Sequence, residues 1–92
     1  MTTVFISGVW DLLHQGHQTV LERASRLGDF LVVGVVTDGF AASYKRLPVR
    51  DFEHRCQDVL AMPWVDAVEP HAGFDDMTAI EKYGVGVRAV GP

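Results

Sequence analysis

The run Phe30–Val36 (Phe-Leu-Val-Val-Gly-Val-Val) constrains this chain more than any other segment, because it has no polar face and is rich in β-branched residues. A strand of that kind must be covered on both sides, the situation of a parallel sheet held between helices. It is also the longest apolar stretch and is far too short to span a bilayer as a helix. The flanking segments complete the pattern. Val4-Phe5-Ile6, closed by Ser7-Gly8, predicts a buried first strand. From His17 onward Val20, Leu21, Ala24 and Leu27 recur at helical spacing, and Gly28 stands where a left-handed helix stop belongs. Thr37-Asp38-Gly39 ends the second strand; residues 39–50 show no period, and Pro48 breaks any helix there. Asp51 predicts the cap of a second helix, with Phe52, Cys56, Val59 and Leu60 on one face and Pro63 as its limit. Val65 and Val68 predict a short third strand. Asp75 then caps a third helix carrying Met77 and Ile80, and Val85, Val87 and Val90 outline a fourth strand.

Strands that alternate with helices predict an α/β chain with an open, doubly wound parallel sheet of about four strands. The 92 residues suffice for one domain, 1–92, and no repeat or linker divides them. Such sheets take ligands outside the carboxyl ends of their strands, where the strand order reverses. Ser7–His17, Thr37–Arg46 and whatever follows Val90 are therefore expected to converge. An apolar fraction of 48% excludes the disordered and low-complexity classes. The single cysteine, Cys56, allows no internal disulfide, and no signal sequence precedes the first strand, so the expected address is cytoplasmic.

The net charge of −4 argues against a nucleic-acid binder, and nothing points to a membrane. The cations are nevertheless gathered: Lys45, Arg46, Arg50 and Arg55 are four of the eight Lys and Arg and fall within one short stretch. A segment of this kind either holds an anion or is a solvated basic loop. The second anion-directed feature is Gly8-Val9-Trp10-Asp11-Leu12-Leu13-His14-Gln15-Gly16-His17, between the first strand and the first helix. A helix N-terminus offers unpaired N–H groups to a phosphate. Gly16 lets the backbone approach closely, and His14 and His17 can donate to phosphoryl oxygens as charge develops. No carboxylate or thiol has the spacing to complete a metal site with the two histidines. Among the remaining residues, His54 and His71 are expected to face solvent, Trp64 and Phe74 to pack, and Cys56 to fill core.

The stretch Phe5–His17, with its H-x-G-H signature, resembles the opening of the cytidylyltransferase-like nucleotidyltransferases, most of all the bacterial glycerol-3-phosphate enzymes. Leu21-Glu22-Arg23-Ala24, Leu27-Gly28-Asp29, Thr37-Asp38, Lys45-Arg46, Glu53-His54-Arg55 and Val65-Asp66 follow in register. The resemblance implies a Rossmann-like fold and transfer of CMP from CTP to a small alcohol phosphate, with release of pyrophosphate and with Mg²⁺ accompanying the triphosphate. His14, His17 and Lys45 are implied to be catalytic, and Arg46 and Arg55 to bind phosphate. Gly8, Val9, Trp10, Asp11 and Gly16 are implied to line the nucleotide pocket, with Asp11 bracing the histidine turn. A homodimer is implied as well. Relatives continue past the fourth strand into segments that contact the triphosphate and base, so a C-terminally incomplete domain is expected. Two alternatives stand beside this reading: an adenylyltransferase using ATP on a sugar phosphate or flavin precursor, and a non-catalytic nucleotide-binding module.

Overall fold

The computed structural model describes residues 1–72 and 77–89. Among these the order is β1 (Thr3–Gly8), α1 (Gln15–Ser25), β2 (Phe30–Val36), α2 (Asp38–Tyr44), α3 (Phe52–Leu60), β3 (Ala67–His71), α4 (Met77–Tyr83) and β4 (Val85–Arg88). All strand pairings are parallel, in the spatial order β3-β2-β1-β4. Building outward from β1 to β3 and then returning to place β4 on the far side of β1 makes the sheet doubly wound, as the sequence predicts. The expected helix cap at Asp75 and strand residue Val90 lie outside the described residues, as does Phe74.

β2 is central and its side chains split between two cores. Leu31, Val33 and Val35 join Val4 and Ile6 of β1 in one cluster, which α1 closes with Leu21 and Ala24 and α3 closes with Val59. Val32 and Phe5 point the opposite way, against Tyr83 of α4 and Val85 of β4. The two-faced apolar run therefore reflects burial on both sides. β3 lies at an edge, and this explains how Pro70 sits inside a strand without breaking a ladder on its outer side.

Four local expectations are corrected. A helix, α2, forms within the region read as aperiodic. Its N-cap is Thr37, whose side chain accepts from the Phe40 N–H, and Asp38 in its first turn complements the helix dipole. Gly28 does not stop α1 in a left-handed conformation, because the C-cap is Arg26 in a right-handed one. Gly28 is required by close approach instead: a Cβ there would lie 2.6 Å from the Thr2 carbonyl oxygen. Leu27 and Leu60 are exposed rather than on the buried faces, since α1 ends before the first and the second is the last residue of α3. His71 is buried at the end of β3, with its ring 6.0 Å from that of Phe5.

Candidate active site

β1 delivers Ser7 and Gly8 to the carboxyl edge of the sheet, and the chain then turns sharply. Trp10 and Leu12 both adopt positive φ, at 57° and 50°, a region costly for residues with a Cβ. Burial holds the turn in place. The Trp10 indole is in the main core and its Nε1 donates to the Gly34 carbonyl at 3.0 Å. Gly8 accommodates the ring, for a Cβ there would stand 3.0 Å from the indole. Asp11 then leaves the turn and accepts from the N–H groups of Val49 at 2.8 Å and Arg50 at 3.0 Å. It braces the segment before α3, and not the histidine turn as the resemblance implies. Burial alone would raise the Asp11 carboxyl. The Arg50 and Val49 N–H bonds, with the charges of Arg55 and Arg46, outweigh that and hold it below its ordinary value.

The two histidines build the start of α1. His14 is the N-cap, and its Nδ1 accepts from the Gly16 N–H at 2.9 Å. His17, three residues on, returns the bond: its Nδ1 accepts from the His14 N–H at 3.2 Å. This is a capping box made of imidazoles in place of the usual hydroxyl and carboxamide. A backbone N–H can only donate, so Nδ1 must be the acceptor on each ring, and each neutral ring carries its proton on Nε2. The ring centroids stand 4.2 Å apart, and the Trp10 and His17 ring centroids are 5.8 Å apart in an edge-on arrangement. Burial, with the adjacent His14, pushes the His17 imidazole below its ordinary value. Gly16 makes the arrangement possible. A Cβ at that position would sit 2.7 Å from Cε1 of His14, well inside van der Waals contact.

From the other side comes the segment after α2. Lys45 is the C-cap of that helix, and Lys45 and Arg46 both lie exposed at its carbonyl end, where the helix dipole favours cations. Between the two walls lies a cleft of about 480 Å³. It brings together Gly8, Val9, Trp10, Asp11, His17, Lys45 and Arg46, and adds Ser7 and Pro48, which the sequence reading did not single out. Ser7 could have been found as the last polar residue of a buried strand aimed at the ligand edge. His14 and Gly16 are not among the residues lining the cleft, and the His14 ring lies beside that of His17 at its margin. Arg55 is corrected. It is fully buried, and its guanidinium is engaged by the protein itself, donating to Val9, Val36 and Arg50 carbonyls and to Asp38, so it is not presented to a phosphate in the cleft. His54 is exposed, as expected, and pairs with Asp51. Among the described residues, no three His, Cys, Asp or Glu side chains group as a metal site.

A strand-end cleft flanked by a paired-imidazole helix cap and two cations is suited to an extended polyanion. The family model for cytidylyltransferase-like proteins matches residues 5–92. The chain belongs to the cytidylyltransferase-like family. Among curated members, it is 42% identical over 71 residues to the ethanolamine-phosphate cytidylyltransferase of Mus musculus, covering 77% of this chain and 18% of the mouse protein. It is 39% identical over 75 residues to the glycerol-3-phosphate cytidylyltransferase of Bacillus subtilis, covering 82% of this chain and 58% of that one. The chain thus spans less than two thirds of the length of both. A crystal structure of a lipopolysaccharide core biosynthesis protein from Thermoplasma volcanium superposes with a TM-score of 0.88 at 30% identity, over 96% of this chain and 72% of that one. Among the described residues of this family member, no helix is long and apolar enough to cross a membrane.

Proposed function

We propose that this chain carries the catalytic half-site of a cytidylyltransferase, which transfers CMP from CTP to a small phosphorylated alcohol. An oxygen of the acceptor phosphate attacks the α-phosphorus of CTP. The new P–O bond gives a CDP-alcohol, and the bond to the β-phosphate breaks to release pyrophosphate. Phosphoryl-type transfer asks a protein for positioning and charge stabilisation more than for a nucleophile. Here Nε2–H of His14 and His17 would donate to the triphosphate, while Lys45 and Arg46 neutralise charge from the opposite wall. Loss of one such donor costs about 10²–10³ in rate at comparable sites. The observation that carries the reading is the imidazole capping box, since tying both Nδ1 atoms to the backbone leaves Nε2–H as the donor each ring has for a ligand.

Mg²⁺ demands near-octahedral oxygen ligands. Among the described residues the cleft offers one carboxylate, Asp11, already bonded to two N–H groups. The protein residues therefore do not fit a resident Mg²⁺, and we assign the ion to the triphosphate as part of the substrate. A cytoplasmic address, supported by the unpaired Cys56, and a homodimer, supported by exposed Leu47, Val49 and Leu60, belong to the same proposal.

The test is pyrophosphate release with Mg²⁺, each NTP in turn, and glycerol 3-phosphate or phosphoethanolamine as acceptor. Release with CTP and either acceptor supports the reading, and the preferred acceptor assigns the substrate. Release with ATP alone transfers the chain to the adenylyl-transferring alternative. Silence with every NTP, alongside measurable CTP binding, makes it a nucleotide-binding module.

A further inference from the structure

Arg55 is the largest fully buried side chain among the described residues; its guanidinium carbon stands 5.9 Å from the Phe52 ring centroid, and its N–H groups are met by polar partners. Its contacts run to four separate segments. Nη1 donates at 2.7 Å to the carbonyls of both Val9, in the turn after β1, and Val36, the last residue of β2. Nε donates to the Arg50 carbonyl at 3.0 Å, in the segment before α3. Nη2 donates to Asp38 at 2.6 Å, in the first turn of α2. The second Asp38 oxygen accepts from the Phe52 N–H at 3.2 Å, at the start of α3. Val9 belongs to one wall of the cleft; α2 leads directly into Lys45 and Arg46 on the other.

We propose that Arg55, clasped by Asp38, is a positioning residue that fixes the two walls of the cleft relative to each other without touching the ligand. The reasoning is geometric. The loop Lys45–Pro48 is suspended between α2 and the Val49-Arg50 segment. Asp38 ties the first support to the guanidinium, and the Arg50 carbonyl ties the second. Asp11 adds the link from Val49 and Arg50 back to the histidine side. An arginine is needed because a planar fork can serve several acceptors at fixed angles, whereas an ammonium presents a single point. Its burial makes the clasp rigid, since an unpaired guanidinium in that place would be strongly unfavourable. The inference rests on the proposed function only in taking CTP as the cleft's ligand.

The experiment combines amide hydrogen exchange at Val49 and Arg50 in the free protein with CTP affinity by calorimetry. It compares the wild type with Arg55→Lys, Asp38→Asn and Lys45→Ala. A clasp predicts that Arg55→Lys and Asp38→Asn speed exchange at both amides by about tenfold or more and weaken CTP binding by a similar factor. Lys45→Ala should weaken binding and leave the exchange unchanged. Lost affinity with unaltered exchange in the clasp variants would mean that Arg55 acts on the ligand directly and would overturn the proposal. Faster exchange with unaltered affinity would overturn it too. Should Arg55→Lys not fold, Asp38→Asn decides alone, for it leaves the three backbone contacts of Arg55 in place. If the wild type binds no CTP, the functional reading falls, and the exchange comparison still decides whether the clasp exists.

Discussion

At His14 a helix cap and a candidate phosphate donor share one imidazole, so a substitution mixes two effects unless it is chosen to separate them. Asparagine is among the best N-cap residues, while alanine caps poorly. His14→Asn is expected to stay within about 0.5 kcal/mol of wild-type stability, and His14→Ala to lose about 1 kcal/mol, both by urea unfolding. Both should lose pyrophosphate release by about 10²–10³, because neither has a donor where Nε2–H stood. An Asn variant as unstable as the Ala variant would mean that His14 stabilises α1 by ring packing and not by capping. The same residue shows why part of the site was legible and part was not. H-x-G-H after a strand and before a helix points to an anion-directed turn through that placement, not through its spacing. That the rings cap each other's backbone depends on the non-helical conformation of His14, φ −137° and ψ −176°, which no residue pattern announces.

Among the elements, the strands were the most readable, because burial on both faces leaves an unbroken apolar signature in Val4–Ile6 and Phe30–Val36. α2 was hidden for the complementary reason: it is seven residues long and Ala41 is its one buried residue, so no apolar period exists to detect. Its signal was Thr37 as a cap, and the same Thr-Asp-Gly sequence reads equally well as a turn. Arg55 was misplaced because a charged residue on a helix is ordinarily exposed. The Val9 and Val36 carbonyls and the Asp38 carboxylate, all distant in sequence, together with the nearby Arg50 carbonyl, make its burial favourable. Gly28 shows the same dependence on tertiary context. Read as a helix stop, it should accept Asn at little cost; seated against the Thr2 carbonyl, it should tolerate no side chain. Gly28→Ala is therefore expected to destabilise by about 1–3 kcal/mol in denaturant unfolding, by forcing β1 away from the end of α1. A neutral or stabilising effect would contradict the close approach.

For the molecule as a whole, acid sensitivity follows from two site residues. Burial holds the His17 imidazole below its ordinary 6.5, so between the folded and unfolded values the unfolded chain binds more protons. The stability tied to neutral His17 is thus complete above about pH 6.5 and is lost as pH falls through the folded value. Asp11, held low on balance, contributes stability above its ordinary 3.8 that disappears only in stronger acid. Unfolding midpoints measured from pH 7.5 to 5 should fall for the wild type and fall less for His17→Gln, whose carboxamide can still accept from the His14 N–H. Equal slopes for the two proteins would remove His17 as the cause.

The proposed function depends on one arrangement, in which two backbone-tethered imidazoles would present Nε2–H to a triphosphate between the α1 start and Lys45-Arg46. The direct measurement is ¹⁵N NMR of the histidine rings during titration with Mg²⁺-CTP. The account predicts the Nε2–H tautomer for both neutral rings before addition, then saturable shifts at Nε2 of His14 and His17 while Nδ1 stays an acceptor. CTP binding that leaves both rings unperturbed, or rings that carry their proton on Nδ1, would contradict it.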